Sequence, residues 1–262
     1  SHKIYERCVT FEKDKFLWRT RPCVSKFDYQ LTLPSTNIIF EYSDLYKELM
    51  ESFSKTQKSI FFIIDYGMGN IGSIINIVKH LGFSAEVSSN PEVIKRANKV
   101  ILPGVGHFEK AIEALNQGGL KEAIIDFALV QKKPILGICL GMQLMCTHSE
   151  EGNAYGLDLI HAHVKRFKSK ENLKVPHMGW NTISLVKESS RLFAQSLLVN
   201  PKFYFVHSYF VECKNEEDVS STAHYGEKFT ASFERENIFG VQFHPEKSHS
   251  FGMRMFQNFL SL

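Results

Sequence analysis

The segment KPILGICLGMQLM, residues 133–145, places one cysteine at a point where an apolar strand is expected to turn into a helix. The pattern is G-x-C-x-G, with Cys139 between Gly137 and Gly141. A sharp turn of this kind exposes the side chain, glycines admit a close approach of helix and strand, and a helix N-terminus stabilises a thiolate. Burial as a small hydrophobic residue is the usual alternative, but it would not require both glycines. The spacing therefore predicts that Cys139 is a nucleophile.

A second polar group, His244-Pro245-Glu246, follows the apolar run FGVQF. The proline biases His244 towards an extended conformation and keeps the histidine and the glutamate out of a helix, so both side chains can point to one place. A thiol needs a base, and the imidazole needs an orienting carboxylate. Alone, the tripeptide could be a capped strand end. Together with Cys139 it predicts a triad in which His244 is the base and Glu246 orients it.

The run VILPGVGHF contains a further turn with chemical potential. Gly104 and Gly106 leave backbone N–H groups uncovered by side chains, which suits an oxyanion hole for a tetrahedral intermediate. The N–H groups of Gly106 and of Leu140, the residue after the cysteine, are the predicted donors. A plain turn at the end of a strand is the alternative interpretation.

The glycines of GMGNIG, residues 67–72, spell the G-x-G-x-x-G motif of dinucleotide-binding proteins. Such a site also needs an acidic residue at the end of the second strand, roughly 20 residues on. Here that strand ends in Ser89 and Asn90, and Glu86 comes too early in it. The motif is therefore interpreted as a tight turn into a helix, and no cofactor is predicted.

These candidate residues lie in a chain that alternates apolar, β-branched runs with helical stretches from residue 59 onward, which is typical of parallel βαβ units. Gly82, Gly118 and Gly119 fall where helices should end. The second half contains closely spaced strands and a closing helix near GMRMFQNFL. An α/β fold with a mixed sheet is predicted over residues 59–262.

Residues 1–58 are expected to form a separate, small α+β extension. FDYQLTL, residues 27–33, alternates apolar and polar positions, and Ser43 is a candidate N-cap for a helix that reaches Phe53. Ten aromatic residues argue against a disordered tail. TQKS, residues 56–59, is the predicted joint, and the role of the extension stays open.

Composition excludes several classes of function. Against 28 Asp and Glu, 31 Lys and Arg give a net charge of only +3, so neither nucleic acid nor a membrane surface is an expected partner. No apolar run is long enough for a spanning helix and the chain starts without a signal peptide, so a cytoplasmic location is expected. Five cysteines without a CxxC pair argue against a disulfide framework and a zinc site, and His161 and His163 are interpreted as surface residues. No metal is predicted.

Six motifs, in order, resemble those of the class I glutamine amidotransferases, and more closely those of the glutaminase subunits of imidazole glycerol phosphate synthase: DYGMGN, LPGVG, GICLGMQ, VPHMGWN, HSYF and VQFHPEKS. All of them lie within residues 59–262. The resemblance implies a flavodoxin-like α/β domain with a mixed, mainly parallel sheet. It does not cover residues 1–58.

The resemblance also implies a reaction. Cys139 would attack the side-chain amide of glutamine, His244 would pass a proton to the departing ammonia, Glu246 would orient His244, and water would release glutamate from the thioester. The implied glutamine pocket consists of Gly104, Gly106, Leu140, Gln143, Ser208 and Tyr209.

The implied partner is a cyclase subunit of (β/α)₈ fold. As a heterodimer with this chain, it would use the ammonia to make imidazole glycerol phosphate and an aminoimidazole carboxamide ribonucleotide in histidine biosynthesis. The residues implied at the interface are Asp65, Tyr66, Gly67, Met68, Gly69, Asn70, Trp180 and Lys247.

Two alternatives stay open at this point. A paralogous glutaminase subunit could supply ammonia to another synthase, for example in surface-sugar biosynthesis. A binding or regulatory subunit could keep the fold without the activity, although the presence of Cys139, His244 and Glu246 argues against this.

Overall fold

The computed structural model describes residues 6–12, 15–21, 61–169, 173–193 and 200–262. The chain divides into two units, Ser1–Gln57 and Lys58–Leu262.

In the first unit, strands β1 (Glu6–Glu12) and β2 (Lys15–Arg21) form an antiparallel pair. The predicted strand at residues 27–33, the helix at 43–53 and the joint at 56–59 lie outside the described residues.

The first half of the second unit alternates strands and helices, as predicted. The elements are β3 (Phe61–Ile64), α1 (Ile71–His80), β4 (Ala85–Ser88), α2 (Pro91–Arg96), β5 (Lys99–Leu102), α3 (Phe108–Asn116), α4 (Leu120–Ile125), β6 (Ile135–Ile138) and α5 (Leu140–Leu144). Gly82 has a φ of +83° just after α1, which confirms the predicted end of that helix. A π-helical turn, Asp126–Val130, follows α4.

The second half is mostly β-structure. Its elements are β7 (Cys146–Ser149), β8 (Ala154–Tyr155), β9 (Ile160–Arg166), β10 (His177–Thr182), β11 (Ser184–Leu185), β12 (Lys202–His207), β13 (Tyr209–Cys213), β14 (Val219–Tyr225), β15 (Glu227–Arg235), β16 (Ile238–Val241) and α6 (His249–Leu260). Short 3₁₀ turns occupy Gln117–Gly119, Glu216–Asp218 and Pro245–Lys247. Strands β7 and β8 were not predicted, because two to four residues carry too little period-two alternation.

The main sheet is mixed, as predicted. Its order is β4-β3-β5-β6-β16-β15-β13-β9-β7-β8, and β14 and β11 extend from β15. Strands β4, β3, β5, β6 and β16 run parallel, whereas β15 pairs antiparallel with both β16 and β13. Strands β10 and β12 form a separate antiparallel pair. Because the parallel strands end at one edge, the loops after β3, β5, β6 and β16 meet there.

Apolar side chains cover both faces of the sheet. One buried cluster includes Leu115 of α3 and Ile124 of α4. The other includes Val78 of α1 and Phe256 of α6. This arrangement of helices on both faces is that of a three-layer α/β domain. None of the helices in the described part of the chain has the length and hydrophobicity needed to cross a membrane.

Helix α6 packs against the His244-Pro245-Glu246 turn through a glycine. A Cβ atom on Gly252 would overlap the carbonyl group of Pro245, whereas a Cβ atom on Gly72 of α1 would meet no atom within 4 Å. Gly252 and Gly72 can therefore serve as test and control positions, because both lie in helices and only Gly252 is in close contact with another segment.

We predict that Gly252→Ala lowers the free energy of unfolding by about 1–3 kcal/mol, because the added methyl group must push the helix off the turn. Gly72→Ala should leave it unchanged or raise it by up to about 1 kcal/mol, because alanine favours the helix. Urea unfolding followed by circular dichroism measures both values. Equal responses of the two variants would contradict the packing argument.

Candidate active site

Cys139 connects β6 to α5 in a strained backbone conformation. Its φ and ψ are +54° and −110°, a region that residues other than glycine rarely adopt. Its N–H donates to the carbonyl oxygen of Val241 at 2.8 Å, which ties it to the neighbouring strand β16. Cys139 is only 6% exposed, so the expectation that the turn exposes its side chain is wrong. The turn predicted around the cysteine is confirmed.

Both flanking glycines are required by close contacts. A Cβ atom on Gly137 would lie 2.7 Å from the carbonyl oxygen of Gly141 and from the amide nitrogen of Met142. A Cβ atom on Gly141 would overlap the carbonyl group of Leu102 at the end of β5. The helix therefore approaches two strands at once, and this approach directs the Cys139 backbone.

His244 and Glu246 form a buried pair. His244 is extended, with φ and ψ of −98° and 93°, as predicted from the following proline. Its Nδ1 atom lies 2.7 Å from Oε1 of Glu246, and the two side chains are 3% and 1% exposed. The prediction that the proline keeps Glu246 out of a helix is wrong, because Glu246 lies in the short 3₁₀ turn Pro245–Lys247, and proline is tolerated at the first position of a helix. The carboxylate is placed to orient the imidazole ring.

The strand β12 holds the backbone of this pair. The N–H of His244 donates to the carbonyl oxygen of Tyr204 at 2.8 Å. Ser248 joins the same two residues, since its hydroxyl donates to the carbonyl oxygen of His244 at 2.6 Å and accepts from the N–H of Tyr204 at 3.0 Å. The histidine is thus fixed at the end of β16.

The charge state of His244 depends on its two neighbours. Burial alone would lower the pKa of His244. The negative charge of Cys139 and the contact of its sulfur with the imidazole ring act in the opposite direction, as do the hydrogen bond and the charge of Glu246, and together they raise the pKa of His244 to about 10. The Nε2 atom of His244 has no hydrogen-bond partner in the described part of the protein. A protonated imidazole beside the sulfur can give its proton to a leaving group.

The Pro103–Gly106 turn lies against the start of α5. A Cβ atom on Gly104 would be 2.7 Å from the amide nitrogen of Gly141 and 2.8 Å from Cβ of Leu140. Gly106 has a φ of +116°, which favours glycine. The N–H groups of Gly106 and Leu140 therefore belong to two segments in contact, and their role as oxyanion donors stays a prediction.

Gln143, on α5, faces the segment that follows β12. Its Nε2 atom donates to the carbonyl oxygen of Tyr209 at 2.9 Å and to Oε1 of Gln242 at 3.0 Å. Both amide hydrogens are therefore used, and Oε1 of Gln143 is the atom that can accept a bond from the ammonium group of an amino acid. Ser208 and Tyr209 are partly buried beside it. The structure brings Gln143 and Tyr209 together, as the resemblance implies.

A pair of buried histidines behind this segment was missed from sequence. Nδ1 of His177 lies 3.0 Å from Nε2 of His207, and Nδ1 of His207 lies 2.7 Å from the carbonyl oxygen of Tyr209. The ring of His177 stacks between Phe205 and Tyr225, with centroid distances of 4.9 and 4.1 Å. Burial lowers the pKa of His177 to about 4 and that of His207 to about 3, so both are neutral at physiological pH.

The loop after β3, residues 65–70, contacts the Pro103–Gly106 turn. Tyr66 is buried, and its hydroxyl donates to the carbonyl oxygen of Pro103 at 2.7 Å. A Cβ atom on Gly69 would lie 3.0 Å from the Pro103 side chain, and one on Gly106 would lie 3.9 Å from the Met68 sulfur. Burial, reinforced by the charge of Cys139, raises the pKa of Tyr66 well above its usual range. The hydroxyl is therefore a neutral donor.

Other residues of the implied interface are more accessible. Gly67 is exposed and Asp65 and Asn70 are partly buried, with Oδ1 of Asp65 accepting from the Gly67 N–H at 2.9 Å. Trp180 is 47% exposed. Lys247 is exposed as well.

Trp180 and Lys247 share one surface. Both contact the ring of Tyr204, with the Trp180 ring centroid 6.1 Å and the Lys247 Nζ atom 5.7 Å from its centroid. The indole also stacks on His249 at 5.2 Å.

In the described part of the chain, no group of three or more His, Cys, Asp and Glu residues could hold a metal ion.

The family model described as "Glutamine amidotransferase class-I" matches residues 62–262. Among curated proteins, the imidazole glycerol phosphate synthase subunit HisH 2 of Methanococcus maripaludis is 45% identical over 198 residues, which cover 76% of this chain and 97% of the relative. The HisH subunit of Leptospira borgpetersenii is 42% identical over 203 residues, covering 76% of this chain and 98% of the relative.

Solved structures show the same fold at low identity. A PurLQS structure from Thermotoga maritima has a TM-score of 0.61 at 16% identity, covering 78% of this chain and 99% of that chain. A structure described as a glutamine amidotransferase has a TM-score of 0.60 at 15% identity, covering 76% and 97%.

We predict that Cys139→Ala lowers the pKa of His244, because burial is then opposed by Glu246 alone. Nuclear magnetic resonance titration of the imidazole signals measures the change. Cys146→Ala removes another buried thiol and should leave the His244 titration at about pH 10. An unchanged titration in Cys139→Ala would show that the cysteine charge does not act on His244.

We predict that the buried histidines reduce stability in acid. Their folded-state pKa values of about 4 and about 3 lie below the unfolded value of about 6.5, so the unfolded chain binds more protons and the free energy of unfolding falls as the pH drops through this range. His207→Asn removes one titrating group and keeps a donor near Nδ1. This variant should reduce the slope of the free energy of unfolding against pH by up to about 1.4 kcal/mol per pH unit.

The control for this measurement is His224→Asn, which changes an exposed histidine. Urea unfolding between pH 4 and 7 provides the slopes. If both variants keep the slope of the unmodified protein, the buried pair does not carry the acid sensitivity.

Proposed function

Because the chain belongs to the class-I glutamine amidotransferase family, we propose that it hydrolyses the side-chain amide of glutamine with Cys139, His244 and Glu246. The observation that carries this proposal is the buried His244–Glu246 contact of 2.7 Å next to a cysteine whose backbone is held at positive φ. A nucleophile, a base and an orienting acid are the three parts that such a hydrolysis requires.

The reaction follows from the positions of these groups. The sulfur of Cys139 attacks the amide carbon of glutamine, and the N–H groups of Gly106 and Leu140 stabilise the negative oxygen that forms. His244 then gives a proton to the nitrogen as the C–N bond breaks, which releases ammonia and leaves a thioester. His244 next takes a proton from water as the water attacks the thioester, and the C–S bond then breaks, which releases glutamate and restores the Cys139 thiolate beside the protonated His244.

The chemistry of the pocket suits an α-amino acid. Oε1 of Gln143 can accept from the substrate ammonium group, because the Nε2 atom of this residue already donates to Tyr209 and Gln242. Backbone groups of Ser208 and Tyr209 complete the proposed pocket. Gly104 contributes by letting the turn lie against α5.

We further propose that the ammonia passes to a cyclase subunit of (β/α)₈ fold. In support, the relatives with 41–45% identity are named as subunits of imidazole glycerol phosphate synthase, and this chain covers 97–98% of their length. Free ammonia is mostly protonated at neutral pH and is then not nucleophilic, so direct transfer between subunits preserves the reactive form. The names of these relatives do not favour the alternative, a synthase of another pathway.

The surface proposed to receive the cyclase contains the loop 65–70, Trp180 and Lys247. The exposed indole of Trp180 supports this proposal, because aromatic side chains are enriched at interfaces, and Lys247 lies beside it over the same tyrosine ring. The loop contacts the Pro103–Gly106 turn.

We predict that the purified chain releases glutamate from glutamine, that addition of the cyclase subunit with its ribonucleotide substrate stimulates this release, and that Cys139→Ala lowers the rate by at least about 10³-fold. Cys146→Ala is the matched control and should keep the activity.

Each component of this assay can fail separately. Activity that survives in Cys139→Ala would refute the proposed nucleophile. Glutamate release that the cyclase does not stimulate, but that is lost in Cys139→Ala, would support the glutaminase activity and indicate that the partner is a different synthase.

A further inference from the structure

The carbonyl oxygen of Tyr209 is the branching point of a buried hydrogen-bond network. It accepts from Nε2 of Gln143 at 2.9 Å and from Nδ1 of His207 at 2.7 Å. A carbonyl oxygen can only accept, so the atoms that face it must be donors. This single backbone group therefore fixes the orientation of the two side chains bound to it.

One branch leads to the candidate nucleophile. Because Nε2 of Gln143 is a donor, the atom of Gln242 that lies 3.0 Å from it must be the acceptor Oε1. The other end of the Gln242 amide, Nε2, then lies 3.8 Å from the sulfur of Cys139. Gln242 is fully buried. Its amide thus points an N–H donor, and not a carbonyl oxygen, at the sulfur.

The second branch runs from the Tyr209 carbonyl oxygen through His207 to His177. Since Nδ1 of His207 donates, its Nε2 atom must accept, and Nδ1 of His177 must be the donor to it at 3.0 Å. Nε2 of His177 is then an acceptor, which matches the Asn181 Nδ2 atom at 3.3 Å. Every link of this branch agrees in direction with the one before it.

We propose that Gln242 stabilises the thiolate of Cys139 by an N–H···S hydrogen bond, and that Gln143 and the Tyr209 carbonyl act as positioning groups that prevent the Gln242 amide from turning over. This inference rests on the nucleophilic role proposed for Cys139. An amide turned over would place its carbonyl oxygen against the sulfur and repel the thiolate.

Other groups also face the sulfur of Cys139, but none of them is a donor that stabilises the thiolate without titrating. His244, from the turn after β16, exchanges the proton of the reaction, and Tyr66, from the loop after β3, bonds the Pro103 carbonyl. The carbonyl oxygen of Val206, on β12, lies 3.9 Å from the sulfur and can accept from the thiol but not stabilise the thiolate. Gln242 supplies a donor that does not titrate.

The test measures how the alkylation rate of Cys139 by iodoacetamide depends on pH, with mass spectrometry of the Cys139 peptide as the readout. Gln242→Met has a similar shape and no donor. The pH of half-maximal rate should rise by about one unit, because a hydrogen bond to a charged atom is lost. The kcat for glutamine should fall about tenfold, and KM should stay nearly constant.

Two further variants distinguish the loss of this hydrogen bond from a folding defect and from a nonspecific effect of a substitution. Gln242→Asn keeps an amide but is one methylene too short to reach both Gln143 and the sulfur, so it should raise the half-maximal pH in the same direction. Gln257→Met, on an exposed position of α6, should leave the profile unchanged. A purely structural role of Gln242 would lower the unfolding temperature without moving the pH profile.

An unchanged pH of half-maximal alkylation in a folded Gln242→Met or Gln242→Asn protein overturns the proposal. The alkylation needs no glutamine, so it gives an answer even if the unmodified chain releases no glutamate. In that case the proposed function fails, and the hydrogen bond to the sulfur is still confirmed or refuted on its own.

Discussion

The site depends on the positive-φ backbone conformation of Cys139. This conformation is unfavourable for a residue with a Cβ atom, and it persists because the surrounding contacts leave no alternative. The N–H of Cys139 continues the parallel pairing of β6 with β16, and Gly137 and Gly141 let α5 rest against the strands. The same pairing sets Cys139 beside Val241, the last residue of β16, so that Gln242 and His244 follow in the segment directly after this strand. One backbone constraint thus places the proposed nucleophile, its proposed hydrogen-bond donor and its proposed base.

Burial makes the polar groups of this site interact strongly. His244 and Glu246 are nearly inaccessible, and the protonated imidazole is retained because two negative neighbours outweigh the cost of desolvation. The histidines His177 and His207 show the opposite case. They are buried without a carboxylate, so they stay neutral and act only as directed donors and acceptors. The same side chain therefore serves two purposes in one domain, and its neighbours decide which.

Local signals in the sequence predicted the parts of the site that depend on neighbouring residues. The cysteine turn, the extended His244 and the alternation of strands and helices each follow from residues a few positions apart. The network behind them does not. Gln143 and Tyr209 are 66 positions apart, and His177 and His207 are 30 apart, so no short pattern marks their contact. Gln242 was also missed, although it precedes the recognised histidine by two residues, because its partner Gln143 comes from another element. The short strands β7 and β8 were missed, because they have too few residues to show alternation.

The triad and the Pro103–Gly106 turn are held in different ways. The backbone of Cys139 is bonded to β16 and that of His244 to β12, so each is anchored to a strand of a sheet. The turn leaves the end of β5 and is bonded by the hydroxyl of Tyr66, a residue of the loop proposed to meet the cyclase. Gly106 within the turn is exposed and has a positive φ. A change in that loop would therefore move the N–H of Gly106, one of the two proposed oxyanion donors, more easily than it would move the proposed triad, because the loop holds the turn through one side-chain hydrogen bond and a few glycine contacts. A movement confined to the turn would leave Cys139 and His244, the proposed nucleophile and base, in place.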